Sequence, residues 1–155
     1  MQYSIFDLDG TVIDSSHRYT TLECGSIDLP AWIRDNTREN CFLDTLLPTI
    51  RTMRADYKAG CEIVVCTARV LNDWDYDFFL EHDIPFHTML DRPMGCTTGD
   101  ADLKELQLRL YAHERGISWA EFCNTSMFFE DCNSVLARME SIGVPTIDAR
   151  QWNAK

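Results

Sequence analysis

Two aspartates one residue apart, Asp7 and Asp9, end the first apolar run of the chain (Tyr3, Ile5, Phe6), and Gly10 and Thr11 follow at once. Carboxylates that close repel each other, and burying either one unpaired is costly. The pair makes physical sense if a divalent cation sits between the two and one oxygen acts as a nucleophile. The plainer alternative is a strand running into an ordinary Asp-Gly turn, so the rest of the chain must separate the two readings.

Asp131 follows a second apolar run, Ser126 to Glu130, and with Asp7 and Asp9 forms an oxygen set suited to Mg²⁺. In that arrangement Asp7 is the candidate nucleophile, attacking phosphorus to form an aspartyl-phosphate. Asp9 is the candidate acid and base, protonating the leaving oxygen and then activating water. Thr67 closes another apolar run and offers a hydroxyl donor, although a β-branched residue finishing a strand is equally common. Lys104 stands near the start of an expected helix, where the macrodipole disfavours a cation by roughly 0.3–1 kcal/mol. A nearby anion explains it; a side chain reaching into solvent is the alternative. Asp100 is either the N-cap of that helix or a group that orients Lys104 or the metal shell. Arg18 and Arg69 are candidates for phosphate or substrate contacts.

Other polar and aromatic residues read as structural. His17, His82, His87 and His113 lack metal-ligand spacing. Trp32 and Trp74 could stack on a base, but packing is the simpler reading. The run Asp73-Trp74-Asp75-Tyr76-Asp77 reads as a solvated acidic face.

These residues need elements to position them. Residues 2–7 read as a strand, 12–20 as polar and turn-like, and 21–37 as an irregular excursion. Apolar spacing at Phe42, Leu46, Ile50 and Met53 predicts a helix from about Cys41 to Ala59, with Pro48 kinking it or marking its first turn. Cys61 to Cys66 reads as a strand buried on both faces. A helix over 71–82, a short strand over 86–90 and a loop over 91–99 follow. A helix from Ala101 to about Arg115 comes next, with Asp100 as its cap. The strand 126–130, a helix over 134–142 and a last strand over 144–147 complete the chain. Such alternation predicts an α/β fold with a mainly parallel sheet. Ligands of such sheets bind beyond the carboxyl ends of the strands. Asp7, Asp9, Thr67, Arg69, Glu130 and Asp131 all fall at or just after predicted strand ends, so three strands deliver polar residues to one edge.

Composition sets further bounds. A length of 155 residues suits one domain, residues 1–155, with a real core. Hydrophobic content of 45% with 25% charged residues matches a soluble globular protein, and no run approaches the ~20 apolar residues of a membrane span. A net charge of -11 argues against broad gripping of long nucleic acid, while leaving room for a nucleotide or a nucleic-acid end in a local site. Seven scattered cysteines without a CxxC pair or a secretory leader point to reduced thiols in the cytoplasm.

Taken in order, these segments resemble the four motifs of the haloacid-dehalogenase (HAD) superfamily of phosphohydrolases. Asp7-Leu8-Asp9-Gly10-Thr11 looks like the first, Thr67 the second, Lys104 the third and Glu130-Asp131 the fourth. Within that superfamily the chain is most similar to the 3′-phosphatase domains of phage polynucleotide kinase-phosphatases. Arg18 falls at the place of an active-site arginine, and Thr67-Ala68-Arg69 resembles a Thr-Gly-Arg. Arg92-Pro93-Met94-Gly95 and Asp100 to Lys104 resemble an Arg-Pro-x-Gly loop and an Asp-x-x-x-Lys helix start. Ala68 replaces a glycine, and Glu130 stands where relatives often carry aspartate. No GxxxxGK[ST] of a kinase half occurs.

The resemblance implies a Rossmann-like sheet with a small flap and no large cap domain. It implies a Mg²⁺-dependent phosphomonoesterase acting on a nucleotide or a 3′-phosphorylated nucleic-acid end. A nucleotide-sequestering protein with little turnover, and a phosphatase for a small metabolite or a phosphoprotein, are the other readings. Residues 21–40 are the stretch available to hold a nucleotide.

Overall fold

In the structure, a computed structural model describing residues 2–19 and 28–155, apolar runs become parallel strands and the stretches between them become helices. The strands are β1 (Tyr3–Phe6), β2 (Ile13–Asp14), β3 (Thr45–Leu46), β4 (Glu62–Cys66), β5 (Thr88–Leu90), β6 (Ser126–Glu130) and β7 (Thr146–Asp148). The helices are α1 (Leu29–Asp35), α2 (Arg38–Cys41), α3 (Ile50–Lys58), α4 (Asp73–Glu81), α5 (Asp100–Glu114), α6 (Trp119–Asn124), α7 (Asn133–Ser141) and α8 (Ala149–Asn153). Five strands form one parallel sheet in the order β5-β4-β1-β6-β7. β2 and β3 form a separate antiparallel pair, the only other sheet among the described residues. The expected α/β sheet with a small flap is the one observed.

Side-chain alternation along the strands divides the core into two layers. Tyr3 and Ile5 of β1 join Val64, Cys66 and Phe128 under α5, α6 and α7. On the other face, Phe6 joins Ile63, Val65 and Phe129 against α3 and α4. Phe6 and Phe129 stack with centroids 4.6 Å apart. Each fully buried side chain of this kind contributes roughly 1.5–3 kcal/mol. This two-sided burial holds the C-terminal strand edge rigid enough to carry a site.

Several expectations are corrected. The single helix expected from Cys41 to Ala59 is split into α2, β3 and α3, because Asp44 is drawn inward by arginines and Pro48 sits in the turn that precedes α3. The polar stretch 12–20 contributes β2 and a 3₁₀ turn over Ser16–Arg18. Residues 29–35, expected as irregular, form α1, started by the Asp28 side chain accepting from the Ala31 N–H; residues 21–27 of that excursion lie outside the described residues. Asp100 is the first residue of α5 and Gly99 occupies the cap position. The run 73–77 is not wholly solvated: Asp75 is fully buried and completes a capping box with Asn72 at the start of α4. Helices α6 and α8 are additions that the apolar spacing did not announce. Among the described residues no helix is long and apolar enough to cross a membrane, and the six described cysteines are free thiols.

Candidate active site

β1, the central strand, carries Asp7 just past its end, where the backbone N–H of Asp7 still donates to the Phe129 carbonyl of β6 at 3.0 Å. The chain then turns sharply. Gly10 adopts φ +79°, and a Cβ at this position would overlap the Asp131 carboxylate, lying 2.8 Å from its Cγ. Glycine is therefore required twice over, by backbone and by space. The turn returns Thr11, whose Oγ1 donates to Asp7 Oδ2 at 3.1 Å.

Lys104 reaches into this site from α5. Its Nζ donates to Asp7 Oδ1 at 2.8 Å and to Glu130 Oε2 at 2.6 Å, with all three side chains buried. The anion inferred from its unfavourable place in the helix is thus supplied by two strand ends. Glu130 Oε1 accepts from the backbone N–H groups of Asp131 and Cys132, both at 3.0 Å.

Asp7, Glu130 and Asp131 bring oxygens within 4.8 Å of one another. Three carboxylates face one ammonium. Burial pushes Asp7 well above the usual carboxylate range, with the Glu130 charge adding to it against the pull of Lys104. Burial, then Glu130, raises Asp131 to about 7. Lys104 is held protonated: burial opposes its charge, but Asp7 and Glu130 outweigh that. A site with this excess of negative charge and only oxygen donors fits a hard divalent cation such as Mg²⁺.

The structure distributes the other expected residues differently. Asp9, expected beside the metal, has its carboxylate taken by Arg69 and by the Ser15 hydroxyl. Burial alone would raise its pKa; the Arg69 charge and these hydrogen bonds outweigh it and hold Asp9 below the ordinary range. Thr67 is buried at the end of β4, and its Oγ1 accepts from the Arg69 backbone N–H at 3.1 Å. Arg69 also donates to Asp75 Oδ1 at 2.8 Å. Arg18 is buried rather than solvated, forked onto Asp44 at 3.0 and 2.7 Å and laid over the Trp32 ring. Trp32 is itself buried, and Trp74 packs at the margin of the core layer under α3 and α4, so both tryptophans serve packing. Asp100 is exposed and pairs with Arg92 at 2.9 Å, away from Lys104. Arg92 in turn holds the Ala68 and Thr98 carbonyls at 2.8 and 2.6 Å, tying the loop before α5 to the end of β4.

Three residues of this network were not foreseen. Asp44 binds Arg18 and His17 and lies 3.7 Å from Arg69. Asp75 fixes the second branch of Arg69. Asn153 of α8 accepts from the Thr49 backbone and hydroxyl at 3.0 and 2.7 Å, and donates to the Thr11 carbonyl at 3.0 Å. Asn153 gives no signal in sequence. Asp44 and Asp75 give a weak one, since Asp44 follows Phe42-Leu43 and Asp75 lies between two aromatic residues, Trp74 and Tyr76.

Residues 1–89 match the family described as bacteriophage T5 5′-deoxynucleotidase. The chain belongs to that family. The matched region holds Asp7, Asp9, Thr67 and Arg69, while Lys104, Glu130 and Asp131 lie beyond it and join the site through the fold. The 5′-deoxynucleotidase of Escherichia phage T5 is 36% identical over 76 residues, which are 46% of this chain and 31% of that relative. The match therefore spans about a third of the curated relative's length.

Solved structures extend the likeness to the whole chain at the level of fold. A Pnkp1/Rnl/Hen1 complex superposes with TM-score 0.67 at 16% identity, covering 96% of this chain and 45% of the other. A haloacid dehalogenase-like family protein from Streptococcus pneumoniae gives 0.66 at 13% identity, covering 94% and 83%. A HAD-superfamily hydrolase of subfamily IA from Geobacter sulfurreducens gives 0.63 at 17%, covering 94% and 88%. The fold is the HAD-type Rossmann-like fold that the four motifs implied.

Proposed function

We propose that this family member is a Mg²⁺-dependent phosphomonoesterase that hydrolyses a deoxynucleoside monophosphate through an aspartyl-phosphate on Asp7. The observation that carries the reading is the placement of Asp7. One of its oxygens is fixed by Lys104 and the other by Thr11, at the end of the central strand. A carboxylate held on two sides presents a defined lone pair to phosphorus, and its positioning replaces much of the entropy lost in a bimolecular attack.

Asp7, Glu130 and Asp131 would hold the cation, with Asp9 beside them on the same turn. When bound, Mg²⁺ supplies positive charge that offsets the surplus carboxylates and the charge of the phosphoryl oxygens. In the first step a bond forms between an Asp7 oxygen and phosphorus as the bond from phosphorus to the sugar oxygen breaks. Asp9 gives a proton to that leaving oxygen. Because Arg69 and Ser15 now hold Asp9 as a carboxylate, an incoming phosphate must first draw Arg69 onto itself and release Asp9 to carry a proton. In the second step Asp9 takes a proton from water as the water attacks phosphorus and frees Asp7. Thr67 and Lys104 bind phosphoryl oxygens, and Arg18, through Asp44, keeps Arg69 in reach.

Nucleotide is favoured over a polynucleotide end by the family described as a 5′-deoxynucleotidase and by the net charge of -11. The test is D7N assayed with Mg²⁺ against deoxynucleoside monophosphates, 3′-phosphorylated oligonucleotides and sugar phosphates. The expected result is rapid phosphate release from the mononucleotides by the natural chain and none by D7N, with an unchanged circular dichroism spectrum and melting temperature. Retained hydrolysis in D7N overturns the covalent step, and preference for the oligonucleotides overturns the substrate. Thermal stabilisation by a nucleotide with no phosphate release from the natural chain would establish sequestration instead.

A further inference from the structure

The opposite end of the molecule holds an aromatic groove that the proposed reaction does not use. The main sheet is parallel, so α3 descends to the start of β4 and α4 descends to the start of β5. Their C-terminal ends flank a groove of about 740 Å³ at the edge away from Asp7. Phe79 and Phe86, with ring centroids 6.1 Å apart, form its floor, and Tyr57 and Tyr76 form its walls. Leu80, on the rim, is 80% exposed, and both tyrosines are exposed as well. A cluster of apolar side chains left in water this way marks a binding surface.

Charge singles out the same place. Ten of the fourteen lysines and arginines pair with carboxylates of the described residues. The four that do not are Arg51, Arg54, Lys58 and Lys155, and three of these lie on α3. Arg54 and Lys58 line the groove. Arg54 is fixed there by donating to the His82 and Asp83 carbonyls at 2.6 and 3.3 Å. In a chain of net charge -11, two cations without acid partners among the described residues, beside an aromatic wall, are selective for what they can bind.

A purely apolar partner would bury those cations uncompensated. A simple anion would leave the aromatic wall wet. We propose that the groove is a second ligand site that takes a nucleoside phosphate, its base on the exposed Tyr57 and Tyr76 rings and its phosphate on Arg54 and Lys58. Asp83, held at φ 51° on the rim, is the acceptor available to an N–H of the base. Base stacking on aromatic side chains and charge-assisted phosphate contacts together suffice for such a ligand. The volume falls within the range of small-molecule pockets.

The inference is independent of the phosphatase reading, and the experiment keeps the two apart. Deoxyadenosine monophosphate is titrated into the full chain in EDTA while backbone amide signals are followed by NMR. Signals of Tyr57, Leu80 and Phe86 are expected to shift with a midpoint distinct from those of residues 7–11. Lys58→Glu, at a side chain that makes no hydrogen bond among the described residues, is expected to weaken the groove set about tenfold or more. Phosphate release and the signals of residues 7–11 should be unchanged in that variant. Lys155→Glu, outside the groove, is expected to leave both sets alone. Adenosine and inorganic phosphate, each alone, should bind the groove more weakly than the monophosphate. Groove signals that stay still while those of residues 7–11 saturate, or that respond equally in both charge variants, overturn the proposal. So does inorganic phosphate matching the monophosphate.

Discussion

Lys104 sits among more negative charge than it can neutralise, and this imbalance governs how the site responds to mutation and to pH. Removing the ammonium by Lys104→Met leaves Asp7 and Glu130 buried and facing each other. The cost of breaking a buried pair in this way is about 3–5 kcal/mol, to be read as a lowered urea midpoint. Adding Glu130→Gln to that variant should restore part of the stability and none of the phosphate release. Asp131 fixes the sign of the pH dependence. Its folded value of about 7 lies above the ordinary 3.8, so its contribution to stability is complete below about pH 4 and is lost as pH rises through 7. The raised Asp7 acts in the same direction. A divalent cation bound by these carboxylates, as proposed, would take the place of the proton. Metal-free protein should therefore melt lower at pH 8 than at pH 5, and Mg²⁺ should raise the melting temperature more at pH 8. Asp131→Asn should flatten the metal-free curve and reduce the Mg²⁺ effect. Equal Mg²⁺ effects at both pH values would count against the carboxylate set.

At the scale of elements, the site depends on two braces that reach it from outside the strand ends. Gly10→Ala would drive a Cβ into the Asp131 carboxylate in a backbone conformation that alanine resists. The turn should open, with phosphate release falling at least as far as stability. Asn153 braces the other side of the same turn from α8. Asn153→Ala removes the bonds to Thr49 and Thr11 and should cost about 1–2 kcal/mol, accompanied by a lower kcat as Thr11 loosens from Asp7. These braces also mark where sequence reading succeeds and where it stops. Strand ends carrying Asp7, Thr67 and Glu130 are legible because a buried apolar run that stops in polar residues is a local pattern. Lys104 is legible because a cation at a helix start is an electrostatic anomaly. Asp44 and Asn153 act on residues far along the chain, at separations of 26 for Asp44 with Arg18 and 142 for Asn153 with Thr11, and no local periodicity encodes such partners; Asp75 lies only six residues from Arg69, but within a run of acids whose alternation reads as an exposed face. The helix expected through Pro48 fails for the same reason. Its apolar spacing is real, but Asp44 is pulled into a long-range arginine pair that the spacing cannot register.

At the scale of the whole molecule, net charge bears on the proposed choice between substrates that share a phosphate. A polynucleotide held along its backbone releases one set of counterions per phosphate contact, so its affinity falls steeply with salt. This protein carries 25 acidic against 14 basic side chains, and Arg18, Arg69 and Lys104 are all paired with carboxylates inside the fold. Little basic surface near the site remains for more than one phosphate. The far groove, with its two cations on α3, lies at the other edge of the sheet and cannot continue a strand leading from Asp7. A substrate with a single phosphate should therefore show only modest salt dependence. Between 50 and 200 mM salt, kcat/KM for a deoxynucleoside monophosphate is expected to change by less than about threefold. A protein making 6–10 phosphate contacts would lose about 10³–10⁵ in affinity over that range. Measuring kcat/KM against salt for a mononucleotide and for a 3′-phosphorylated oligonucleotide of matched base gives the comparison directly. A steep slope confined to the oligonucleotide, with higher kcat/KM at low salt, would place the natural substrate on a nucleic-acid end despite the acidic surface.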